Sequence, residues 1–197
     1  IEKFYSAFFP KWKKEAYYEL LKKLQVLPSQ KLSTMSCGQR SQVALGLLFA
    51  QDPELLILDD FSMGLDPGYR RLFVEYLREY ASAENKTVFL TSHIIQDMEL
   101  LIDDCMIMDY GRLLLHKPVK EIMHHFKRYR FTRPEDTFKL EGDEDFWHPS
   151  ALGDKWEVYS FLPKTEVEQR LRAMGVTEII EENLSLEDAF IGLTGKY

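Results

Sequence analysis

Cysteine is scarce in this chain: two in 197 residues, Cys37 and Cys105. That number excludes a disulfide framework and leads us to expect reduced thiols in a cytosolic setting. Long apolar runs are missing as well. The stretch Val-Ala-Leu-Gly-Leu-Leu-Phe-Ala at 43–50 is only eight residues long, whereas a membrane-spanning helix needs roughly 18–20. Nor is there an excess of positive charge. The 25 Lys and Arg face 32 Asp and Glu, a formal net charge of −7, which argues against broad nucleic-acid binding. No signal peptide is visible, and the first residue is Ile1 rather than Met, which suggests a fragment or a trimmed chain.

What is present is an ordinary globular balance, 45% hydrophobic and 29% charged, enough for one domain with a small appendage. Seven Lys against three Glu in residues 1–34 read as a solvated helix face. Tyr17, Leu20, Leu21 and Leu24 repeat at helical spacing within 14–24, and a largely buried helix is expected over 41–51. The run Leu55-Leu56-Ile57-Leu58 predicts a strand covered on both faces, as in a parallel sheet. A loop holding Gly64 and Pro67 follows, then a helix over 69–80 and a second buried strand over 86–91. A helix over about 94–101, a strand at 105–108 and a turn at Tyr110-Gly111-Arg112 complete this part. Beyond 123 the character changes. Residues 141–145 and His148-Pro149-Ser150 read as a surface connection. The strands around 156–162 and 176–180, with helices at 164–174 and 186–193, form a small α/β appendage. Ser185 is expected to cap the last helix with Asp188.

Strands alternating with helices predict an α/β fold with a parallel sheet, whose ligands sit at the carboxyl ends of the strands. Asp59 and Asp60 fall at that edge, as do Ser92 and His93. Two carboxylates there can hold Mg²⁺, which prefers hard oxygen ligands, and a neighbouring His can meet a phosphate or a water. Asp is also a common turn residue, so the pair read alone is better taken as a turn cap.

The stretch around these residues resembles the nucleotide-binding subunits of ABC transporters, ABC-2 exporters in particular. Met35-Ser-Cys-Gly-Gln-Arg40 is similar to their signature motif, Leu55–Asp60 to Walker B, Gly64–Pro67 to the D-loop and Thr91-Ser92-His93 to the switch histidine. Residues 103–114 and 185–195 resemble the segments that follow in this family. The resemblance implies a partial P-loop NTPase of ABC type, with a helical segment at the N-terminus and a small α/β C-terminal appendage. Residues 1–123 would be the carboxyl part of the ATPase domain, and 124–197 an accessory domain. It further implies ATP and Mg²⁺ as cofactors, with Ser36, Gly38, Gln39 and Asp66 binding nucleotide, Asp59 holding the metal, and Asp60 and His93 acting in catalysis. The implied partners are a second nucleotide-binding subunit and a membrane permease, with the chain cytoplasmic and peripheral at the membrane; no nucleic acid is expected.

Three departures from the family pattern stand out. Cys37 replaces a Gly of the signature, and a small buried thiol is the expectation there. Asp60 stands where the family has Glu, and Phe61 where it has Pro, which predicts slow turnover. No Gly-x-x-x-x-Gly-Lys-Ser/Thr occurs; the family's P-loop and Q-loop would precede residue 1, so this chain alone is expected to be inactive or very weak. The alternatives are a degenerate ABC-type interaction module and a non-transport ABC ATPase. His116, His124, His125 and His148 fit no metal-ligand spacing and are expected at the surface. Lys127-Arg-Tyr-Arg130 is expected as a solvated strand rather than an RNA-binding edge. Tyr5, Phe8, Phe9 and Trp12 are expected either to dock a permease's cytoplasmic helix or to pack against the amino-terminal half that the resemblance implies.

Overall fold

A computed structural model describes residues 1–61, 65–84, 86–96, 98–132, 134, 138, 140 and 143–195. The chain divides into two compact units, 1–97 and 98–197.

In the first unit a single helical turn, α1 (Glu2–Tyr5), precedes α2 (Lys14–Lys23). The repeat of Tyr17, Leu20 and Leu21 is buried as its spacing requires. That stripe packs on α3 (Cys37–Ala50). Gly46 permits the close approach, since a β-carbon there would lie 3.1 Å from the Tyr17 ring. Helix α3 begins four residues before the expected start at 41, because the side chain of Ser36 closes the first turn. Strand β1 (Leu55–Asp59), helix α4 (Pro67–Glu84) and strand β2 (Thr87–Thr91) form a βαβ unit with the two strands parallel. Helix α4 is longer than the expected 69–80. Pro67 suits its first position, and Asp66 caps it. Gly64 lies outside the described residues. Phe49 of α3 meets Phe73, Tyr76 and Tyr80 of α4 at ring-centroid distances of 5.9, 5.1 and 4.8 Å.

The expectation of a strand covered on both faces is not met among the described residues. Leu56 and Leu58 are buried, but Leu55 and Ile57 are 51% and 67% exposed. Phe89, directly opposite Ile57, is 49% exposed. Side chains alternate along a strand, and only one side of this pair is packed. The helix expected over 94–101 is likewise replaced by a 3₁₀ turn at Met98–Leu100. Ser92 diverts the chain before it: its Oγ donates to the Ile94 carbonyl at 3.1 Å and accepts from the Ile94 amide at 3.0 Å.

In the second unit β3 (Asp104–Asp109) and β4 (Arg112–Pro118) form a hairpin. Tyr110 and Gly111 at its turn both have positive φ, 44° and 75°, as a two-residue turn of this hand demands. Helix α5 (Val119–His125) follows, then β5 (Lys127–Thr132), β6 (Trp147–Leu152), β7 (Lys155–Ser160), α6 (Lys164–Ala173), β8 (Ile179–Glu182) and α7 (Leu186–Thr194). The antiparallel sheet runs β6-β7-β5-β8. His148-Pro149-Ser150 therefore sits in a strand rather than in a connection. Strand β5 is central, with Tyr129 buried, and Arg128 and Arg130 pair with Glu182 at 2.7 and 3.0 Å. Ser185 and Asp188 form the expected capping box on α7. The compact units divide at 97/98, where the sequence suggested 123/124. The cause is packing: Ile107, Ile122 and Phe126 share one core with Leu184, Ala189 and Leu193.

One carboxylate ties three segments of the first unit together. Asp52 ends α3 at φ +53°, a left-handed position that Asp and Asn tolerate. Its Oδ1 receives Lys86 Nζ at 2.8 Å and Lys13 Nζ at 3.1 Å. Burial works to raise the Asp52 pKa, but the hydrogen bonds from Lys86 and Lys13 outweigh it and hold the group below its ordinary value. A depressed carboxylate contributes stability above its unfolded pKa, about 3.9, and loses it as pH falls through the folded value. Asp52→Asn keeps the left-handed backbone and should cost on the order of 2 kcal/mol near pH 7. Urea unfolding as a function of pH should show the gap to wild type closing below about pH 4.

Candidate functional site

Parallel pairing brings the carboxyl ends of β1 and β2 to one edge, with Asp59 directly opposite Thr91. The next residue, Asp60, turns the chain away at φ +45°, a left-handed position costly for most side chains but tolerated by Asp. Two acceptors hold that turn: the Asp60 amide donates to the Thr91 carbonyl at 3.1 Å and to the Thr91 hydroxyl at 3.0 Å. The same hydroxyl donates to Asp59 Oδ1 at 2.5 Å. On the other strand Ser92 closes its small turn, and His93 Nδ1 comes within 2.8 Å of Asp60 Oδ1. Asp59, Asp60 and His93 thus lie at one sheet edge, with Asp60 in contact with His93. Thr91 is the member that residue-by-residue reading passed over; the available signal was a hydroxyl on the last strand residue opposite a carboxylate.

The cost of two adjacent carboxylates is eased by water and by hydrogen bonds. The side chain of His93 is 64% exposed and that of Asp60 30%. Among the described residues no group of three or more His, Cys, Asp or Glu could hold a metal by itself. Mg²⁺ does not require such a cage, since it is commonly held by one or two carboxylates with waters and substrate phosphates. Asp59 beside Asp60 fits that pattern, and Asp60 is already engaged by His93. His116, His124, His125 and His148 are exposed, as expected.

The remaining candidates sit at two helix starts. Ser36 Oγ accepts from the Gln39 amide at 3.2 Å, while Gln39 Oε1 accepts from the Ser36 amide at 3.1 Å and from Gln30 Nε2 at 3.1 Å. Gly38 and Gln39 therefore lie inside the first turn of α3, not before it. The Gln39 side-chain oxygen is committed to the cap and to Gln30. Cys37 is exposed, contrary to the expected burial, because the first turn of α3 carries it on the outside. Asp66 Oδ1 accepts from the amides of Gly68 at 3.0 Å and Tyr69 at 3.2 Å, capping α4. Among the described residues no hydrogen bond or ion pair joins these helix starts to the Asp59–His93 group.

Parts of this chain are similar to known proteins. A family profile described as "AAA domain, putative AbiEii toxin, Type IV TA system" matches residues 16–96. The Nod factor export ATP-binding protein I of Rhizobium sp. (strain N33) is 28% identical over 179 residues, 88% of this chain and 58% of that protein. An uncharacterized ABC transporter ATP-binding protein, YhcH of Bacillus subtilis (strain 168), is 28% identical over 181 residues, 84% of this chain and 55% of that protein. The chain thus spans little more than half the length of these relatives. Among solved structures, cbiO1 from Clostridium perfringens, part of the ABC transporter complex cbiONQ, overlays with a TM-score of 0.46 at 26% identity. The overlay covers 56% of this chain and 45% of that one.

The caps can be separated from any ligand contact. Ser36→Ala removes one side of the capping box and should lower stability by about 1 kcal/mol, whereas Ser36→Asp retains a good cap and should change it little. Urea denaturation of the two variants without nucleotide measures this.

Proposed function

We propose, from the similarity of most of its length to ABC transporter ATP-binding proteins, that this chain forms the signature-to-histidine portion of an ATP-binding subunit, coupling ATP binding and hydrolysis to a separate membrane permease. The meeting of Asp59, Asp60 and His93 at the carboxyl ends of two parallel strands carries this reading. The export function named for the Rhizobium relative supports an exporter. No helix among the described residues is long and apolar enough to cross a membrane, and the proposed place is the cytoplasmic face, bound to the permease. The exposed Phe4 and Phe8, 65% and 66% accessible, offer an apolar surface for that contact. A second ATP-binding subunit would bring its own phosphates to Ser36, Gly38 and Gln39, with Asp66 at the joint.

Within the site each residue has a task that follows from its chemistry. When bound, Mg²⁺ would neutralise phosphate charge, and Asp59 with its neighbouring waters would hold it. Asp60 would orient the attacking water. A carboxylate only accepts hydrogen bonds, so His93 must donate to Asp60 through Nδ1. Its Nε2 can then donate to a phosphate oxygen only as the imidazolium. Catalysis of this class rests on positioning and on charge stabilisation. The amides and hydroxyl at the start of α3 suit an anionic partner.

A second reading has one observation in its favour. The 197 residues contain no Gly-x-x-x-x-Gly-Lys-Ser/Thr, the pattern that cradles phosphates in P-loop proteins. Without it the chain would serve as an interaction module. Calorimetric titration decides. The chain alone should show no micromolar affinity for MgATP, and tight binding would overturn our account. Joined to a phosphate-loop segment and a permease, it should bind MgATP and hydrolyse it slowly; failure of both would favour the module.

Asp60 is one methylene shorter than the Glu of the resembling family, a withdrawal of roughly 1 Å that can lower a rate by about 100-fold. In the joined assembly, Asp60→Glu should therefore raise turnover, and an equal or lower rate would count against Asp60 as the water-orienting group.

A further inference from the structure

The site contains a residue whose geometry exceeds what a strand position requires. Thr91 belongs to β2 and could complete the ladder with its backbone alone, since its carbonyl already accepts the Asp60 amide at 3.1 Å. Its hydroxyl does more. It accepts from the same amide at 3.0 Å and donates to Asp59 Oδ1 at 2.5 Å. A hydroxyl has one proton to give, and here that proton is committed to the first carboxylate while the oxygen holds the backbone of the second. The β-branch restricts the Thr side chain at χ1, which favours keeping this arrangement.

The link matters because Asp60 is held at φ +45°. A left-handed non-glycine residue persists only when its surroundings enforce it. The Asp60 carboxylate after this turn comes within 2.8 Å of His93 Nδ1. Without a donor on Asp59, two neighbouring carboxylates would compete for the same polar partners.

We propose that Thr91 is a positioning residue: its hydroxyl, bridging Asp59 Oδ1 and the Asp60 amide, sets the turn that presents Asp60 to His93. Its importance for hydrolysis rests on the function proposed above; its effect on the Asp60–His93 pair does not.

The test reads the His93 ring directly. A carboxylate partner at Nδ1 requires the neutral ring to carry its proton there, and ¹⁵N NMR of histidine-labelled protein in alkaline buffer distinguishes the two tautomers. The intact chain and Thr91→Ser, which keeps the hydroxyl, should show His93 mainly in the Nδ1–H form. Thr91→Val and Thr91→Ala, which lack it, should invert the ratio in favour of Nε2–H while remaining folded by circular dichroism. A merely structural Thr91 would lower the unfolding midpoint and leave the tautomer unchanged. Persistence of the Nδ1–H form in either hydroxyl-free variant, or its absence from the intact chain, overturns the proposal. In an assembly that hydrolyses MgATP, Thr91→Val should lower kcat by about 10- to 100-fold with KM held. An assembly that fails to hydrolyse ATP with Thr91 intact would sink the proposed function and leave the tautomer result standing.

Discussion

The site depends on the register of two parallel strands. Asp59 faces Thr91 across the ladder, and that one pairing places the Asp59 carboxylate and the Asp60 amide beside one hydroxyl and brings His93 to Asp60. A slip of one residue would turn every side chain of a strand to the opposite face. The buried Leu56 and Leu58 prevent it, since the slip would expose them. Hydrophobic burial on one face thus holds in place the polar arrangement at the strand ends.

Capping is the second constraint, and it explains why the binding candidates are also structural residues. Helices α3, α4 and α7 each begin with a side chain that satisfies otherwise unpaired amides: Ser36, Asp66 and Ser185. A helix start with free amides and a short polar side chain suits an anion as well as a cap. In Ser36 and Gln39 both uses converge on the same atoms, because Gln39 Oε1 already serves the Ser36 amide and Gln30.

The parallel pair also presents a contrast between its two faces. One carries the packed Leu56 and Leu58; the other carries Leu55, Ile57 and Phe89 in the open. Parallel sheets are ordinarily covered on both sides; among the described residues this pair is packed on one side only.

The sequence by itself determined most helices and strands of the first unit and marked the polar residues at its strand ends. Helical spacing marked Tyr17, Leu20 and Leu21 as one buried stripe, β-branched and aliphatic runs located both strands, and the ordered motifs singled out Asp59, Asp60 and His93. These signals are local, carried by residues within a turn or a strand of one another. Tertiary structure alone decided the rest. It set the start of α3 at Cys37 through a side-chain cap, replaced the expected helix at 94–101 with a 3₁₀ turn, and joined 98–123 to the carboxyl half through a shared core. It also brought Thr91 to Asp59. The physical reason is common to all four: each outcome depends on which distant group satisfies an amide, a hydroxyl or an apolar face, and that choice is made only when the chain is packed.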